Sequence, residues 1–141
     1  NDKKVAILLF LIDFNHLKYC GNKIFNDTYI KGSRHPEPVI VSELFDIVAN
    51  EEDLEEEDER IYLMQELLDY LDIEIVEKEK FIELNFIKME EEFDESIFSK
   101  DEMKTIHKIV SEYLNTSTRN LANDCFKIEE VRATKNGEVI I

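Results

Sequence analysis

The best-spaced pair for chemistry in this 141-residue chain is Asp13 and His16, three residues apart. On a helix such a pair shares a face, so Asp-x-x-His can orient an imidazole or supply two metal ligands. Cys20 follows His16 by four residues, a spacing that suits a thiol nucleophile and its base. Each arrangement also has a plainer reading: a buried polar pair tying a helix to the loop after it, and a small thiol at a helix end. The plainer reading is favoured because no third ligand and no oxyanion-hole motif accompany these residues. His35, beside Pro36, and His107, on an otherwise apolar helix, are dispersed single histidines, more often satisfied polar groups than ligands. No GxGxxG, P-loop, HExxH or EF-hand pattern occurs. We therefore expect no catalytic residues, no metal and no cofactor.

The elements that must hold these residues follow from periodicity and punctuation. Val5 to Phe14 is apolar nearly all round, with Asp13 the exception, and continues through Tyr19 to Gly21. That describes a buried central helix with a glycine stop. Lys23 to Lys31 alternates loosely, as a short strand would, and Gly32, Ser33, Pro36 and Pro38 then enforce an extended loop. Ser42 is the expected N-cap of a helix through Leu44, Phe45, Ile47 and Val48, with Glu43 and Asp46 near its positive end. A helix is predicted from Arg60 to about Asp72, and a β-hairpin from Ile73 to Phe86 around the turn Glu77 to Lys80. Ser99 and Glu102 spell a capping box ahead of a helix along Met103, Ile106, Val110 and Leu114. Thr116 or Ser117 should cap a further helix, Lys127 to Arg132 is a further helical candidate, and Gly137 to Ile141 suits a terminal strand. The expected fold class is α+β, mainly helical: a single domain over 1–141 of about five or six helices with a small antiparallel sheet.

Composition limits the function. A chain of this length buries about two-thirds of its surface without disulfides or metals. It carries 33 acidic against 17 basic residues, a net charge of −16. Residues 1–50 are neutral, and the whole excess lies beyond them, with eight acids in the nine residues 51–59. Direct nucleic-acid binding is not expected of such a chain, since it calls for a basic footprint. An acidic mimic of nucleic acid, blocking a basic nucleic-acid-binding protein, is the alternative reading. A metal or thiol enzyme using Asp13, His16 and Cys20 is a weaker one. Cys20 and Cys125 lack CxxC spacing and fit free thiols in a cytoplasmic protein. The longest apolar run, Val5 to Ile12, is too short to span a bilayer. The start at Asn1 rather than Met leads us to expect a truncated N-terminus.

With catalysis disfavoured, aromatics in the neutral third carry the weight. Phe14, Tyr19, Phe25, Tyr29 and Phe45 cluster there, and Arg34-His35-Pro36-Glu37-Pro38 adds cationic and rigid groups. Such residues are common interface anchors, and a stiffened loop loses little entropy on binding.

The stretch from Leu8 through Asp13 to His16, then Tyr19-Cys20-Gly21 and Thr28-Tyr29-Ile30-Lys31, resembles the opening of the SocA-like Panacea domain. The loop His35-Pro36-Glu37-Pro38 keeps that family's two prolines, and Glu43-Leu44-Phe45 is similar to its next helix. Phe98 to Glu102, the helix to Tyr113 and a closing helix from Leu121 to Thr134 resemble its second half. Three positions depart from the pattern: His35 replaces the loop glycine, Cys125-Phe126 a late Ser-His pair, and Val131 a late tryptophan. The acidic insert at 51–59 lies outside it. The resemblance implies a non-enzymatic, phage-associated antitoxin-type module that neutralises a toxin encoded beside it by direct binding, or delivers it to a protease as an adaptor. The partner-binding residues expected on this reading are Asp13, His16, Tyr29, Arg34, His35, Pro36 and Pro38.

Overall fold

A computed structural model describes residues 2–50, 62, 71–79, 81–88 and 95–141. The acidic insert at 51–59 and, apart from Tyr62, the helix expected from Arg60 to residue 70 lie outside them; Leu71 and Asp72 belong to a strand. Five α-helices and two two-stranded antiparallel sheets occur among the described residues, a mainly helical α+β architecture. None of those helices is long and apolar enough to cross a membrane. The chain divides into two compact units, Lys3–Ile40 with Asp94–Ile141, and Asn1–Asp2 with Val41–Phe93.

The first unit is built around α1 (Asp2–Cys20), which buries Ile7, Phe10, Leu11 and Ile12. Gly21 ends it at φ +86°, donating its N–H to Leu17 O at 3.0 Å, because the left-handed C′ position costs glycine nothing. After a turn through Asn26, itself at φ 59°, come β1 (Tyr29–Lys31) and β2 (Pro36–Pro38). They pair antiparallel, Tyr29 opposite Pro38 and Lys31 opposite Pro36. The expected extended loop is thus a hairpin whose tip is Gly32-Ser33-Arg34-His35. Gly32 is required there: a Cβ would meet His35 O at 2.6 Å. The prolines suit a strand whose outer edge needs no ladder donor.

The C-terminal residues line the other side of β1. Tyr29 exchanges backbone hydrogen bonds with Ile140 and Ile141, Lys31 with Gly137 and Glu138, and Ile30 bridges to Val139. The expected terminal strand is reduced to an isolated bridge at Val139 flanked by these backbone bonds. Over the sheet and α1 lie α3 (Lys100–Tyr113), α4 (Thr118–Phe126) and α5 (Glu129–Ala133), which contribute Ile109, Leu121, Cys125 and Val131 to one core. The Ser99–Glu102 capping box forms as expected, and Ser117 rather than Thr116 caps α4. The one closing helix that the resemblance implies from Leu121 to Thr134 is two helices, the second answering to the separate candidate at Lys127 to Arg132, with the break where Ile128 turns extended at ψ 129°.

The second unit packs α2 (Val39–Ala49, of which Val41 onward lies here) with the hairpin of β3 (Leu71–Glu77) and β4 (Ile82–Lys88). The hairpin runs in register from Leu71 opposite Lys88 to Glu77 opposite Ile82, closed by Lys78 N–H to Phe81 O at 2.8 Å. Ile47, Val48 and Leu84 are buried, and Phe45 meets Phe86 at 5.2 Å between ring centroids. Because α2 begins at Val39, Ser42 is inside the helix rather than its cap. Asp46 accordingly lies in the last turn, near the negative end of the dipole.

Phe10 is fully buried and touches the rings of Phe14 and Tyr29, each at 5.6 Å. Phe10→Ala should therefore lower unfolding stability by about 3–5 kcal/mol, read as a shift of the urea midpoint. A loss below about 1 kcal/mol would place this ring outside the core.

Candidate functional site

Asp13 projects from α1 into the interior and is 0% exposed. Its Oδ1 accepts hydrogen bonds from the backbone N–H of Ile24 (2.7 Å) and Phe25 (3.0 Å). Its Oδ2 accepts one from the Tyr29 hydroxyl at 2.6 Å. That hydroxyl also lies 3.2 Å from Leu9 O. A phenol has one proton, and the short contact to the carboxylate claims it. Burial first, then Asp13 through this bond and its charge, then Asp27, push the Tyr29 hydroxyl well above the ordinary tyrosine range, so it remains a donor.

His16, one turn along, fixes the same connection. Its Nδ1 donates to Asn22 O at 2.6 Å, which leaves Nε2 without that proton in a neutral ring. Among the described residues, His16 Nε2 is a buried nitrogen with no hydrogen-bond partner. Asp13 and His16 are thus the buried polar pair that ties α1 to the loop after it. Both carboxylate oxygens of Asp13 are occupied by donors from the chain. Among the described residues, no three His, Cys, Asp or Glu side chains gather as a metal would need.

Both cysteines are free thiols. Cys20 is exposed and lines a cavity of about 230 Å³ with Asn15, Tyr19, Asp101, Lys104, Thr105 and Lys108; His16 is not among the lining residues. The structure therefore does not assemble His16 and Cys20 as base and nucleophile in that cavity. Cys125 is buried, and burial, with Asp124 as a lesser cause, pushes its thiol up to about 12.

Placement separates the seven residues expected to meet a partner. Asp13, His16, Tyr29, Pro36 and Pro38 are buried and have little or no side-chain surface to offer. Arg34 is exposed at the tip of the β1–β2 hairpin; His35 is half-buried, its Nδ1 donating to Pro36 O at 2.8 Å. Sequence reasoning missed Asp27, which is 2% exposed. Its Oδ1 accepts from Thr28 N at 2.7 Å and from Ile40 N at 3.0 Å, supplying from a distance the cap that Pro38 cannot provide. Asn26-Asp27 before a short apolar strand carried the signal, since Asx residues bond their own backbone at turns.

A family model for the antitoxin SocA-like, Panacea domain matches residues 7–127. The chain belongs to the SocA-like Panacea domain family. Searches of curated proteins and of solved structures found no match. The Panacea match contains Asp13, His16, Asp27, Tyr29 and both prolines, and ends before α5 and the C-terminal residues that bond to β1.

Tyr29→Phe should cost about 1–3 kcal/mol, because Asp13 Oδ2 loses its donor inside the core, and Asp13→Asn more, since an amide also turns a donor toward donors. Urea unfolding of both variants checks this, and equal midpoints for all three proteins would contradict it. Alkylation at pH 8 should label Cys20 alone until denaturant is added, counted by intact mass. Above the ordinary thiol value of 9.0, unfolded Cys125 loses its proton while the folded thiol keeps it to about 12, so stability should decline as pH rises through that window. Cys125→Ser should flatten the decline.

Proposed function

We propose that this Panacea chain is a non-enzymatic, cytoplasmic antitoxin that neutralises a toxin encoded beside it by direct protein binding, the chain acting as one domain. Family membership carries the reading. Two further observations support it. The polar pair with the best spacing for chemistry is consumed in holding a loop, Asp13 by Ile24, Phe25 and Tyr29 and His16 by Asn22. That loop in turn supports a hairpin presenting an exposed arginine, one of the residue types that most often anchor interfaces. The −16 charge suits a basic partner and would speed encounter through long-range attraction.

Expression of the neighbouring gene alone should arrest growth, and co-expression of this chain should restore it, with the two proteins copurifying. A neighbour that is harmless alone, or a rescue without any complex, would overturn the reading. Arg34→Ala should raise the off-rate of the complex about fivefold or more, with circular dichroism unchanged. Neutralising Glu55, Glu56 and Glu57 should instead lower the on-rate and flatten its salt dependence.

A further inference from the structure

The unit containing α2 and the β3–β4 hairpin holds a cavity of about 350 Å³ at the C-terminal end of α2. Its polar lining is Asp2, Asp46 and Asn50; its apolar walls include Phe45, Phe81, Ile82 and Leu84. No lysine, arginine or histidine is among the described residues that line it.

Three sources of negative potential converge there. The carboxylates of Asp2 and Asp46 are two. Asp2 Oδ1 accepts a long bond from Leu84 N at 3.4 Å, and Asp46 stands on the last turn of the helix. The third is the carbonyl end of α2, whose last turn holds no basic residue. Helix C-termini favour a cation, and this one receives none from its own last turn. The aromatic walls add to the same preference, since ring faces attract a cation close to them. An anion would be repelled, and a purely apolar guest would strip water from two carboxylates without replacing it.

We propose that this pocket receives an arginine side chain from a basic segment of the partner protein. Arginine fits better than lysine for geometric reasons. A planar guanidinium can stack on Phe45 while its forked N–H donors face carboxylates, and its methylenes can lie along Ile82 and Leu84. The overall charge of −16 points to a basic partner independently of the pocket. The inference rests on the reading of the chain as a protein-binding module, and it names one contact that such binding uses.

The test is an NMR titration of the full chain with N-acetyl-arginine methylamide, using the blocked glutamate and norleucine analogues as controls. The arginine compound should shift backbone amides of Phe45 to Asn50 and of Ile82 to Leu84 saturably, and neither control should do so. Asp46→Asn should weaken this binding about fivefold. Asn50→Lys, which sets a cation of the chain's own in the pocket, should abolish it, both variants keeping the wild-type spectrum elsewhere. An equal response to norleucine, shifts confined to other regions, or unchanged affinity in both folded variants would overturn the proposal. If arginine fails to bind while co-expression rescue persists, the pocket assignment falls and the antitoxin reading stands. If arginine binds here and no neighbouring toxin is neutralised, the antitoxin reading falls and the pocket stands.

Discussion

An interior carboxylate costs several kcal/mol unless its oxygens are hydrogen-bonded. Asp13 meets that demand with donors drawn from one short stretch of chain: Ile24, Phe25 and Tyr29. The rest of the first unit depends on this arrangement. Once α1 is formed, the carboxylate fixes where the backbone at 24 and 25 must pass, and that path delivers Tyr29 to the core against Phe10. Tyr29 then begins the strand that β2 joins on one side and the C-terminal residues on the other. A hydrophobic side chain at position 13 could fill the same space, but it could not specify the path of the loop.

Asp27 repeats the device at the next step. One oxygen serves Thr28, just before β1, and Ile40, in the first turn of α2, so a single carboxylate orders the backbone on both sides of the hairpin. Cap substitutions cost about 0.5–2 kcal/mol in simpler settings, and here the same group also orders a turn. The two aspartates therefore make the hairpin tip, where Ser33 and Arg34 are exposed, a consequence of interior hydrogen bonding rather than of loop sequence alone.

What the sequence disclosed was what local rules encode. The apolar run of α1, its stop at Gly21, the Ser99–Glu102 box and the β3–β4 hairpin each rest on residues within a few positions of one another, and each is present. The tie from Asp13 and His16 to the following loop was equally legible, because an acid and an imidazole on an apolar helix need partners nearby. The misreadings share one cause, which is that the deciding group is remote. Ser42 is a good cap residue, yet the helix starts at Val39 because Asp27 reaches it through the fold. Pro36-Glu37-Pro38 looks like loop, yet it pairs as an edge strand where a missing N–H does no harm. Tyr29 has the residue type of an interface anchor, and only the tertiary path shows that its ring is interior and its hydroxyl already taken.

The same logic bears on function. Within this Panacea chain the polar groups best spaced for catalysis act as structural ties, and the proposed function draws instead on exposed features such as the hairpin tip. The central claim is that Asp13 organises the loop from inside, and amide hydrogen exchange of Ile24 and Phe25 tests it most directly. In the wild-type chain these two loop amides should be protected, and Asp13→Asn should speed their exchange about tenfold or more while amides in α3 and α4 change far less. Exchange at the unprotected rate in the wild type, or rates untouched by the substitution, would contradict the account.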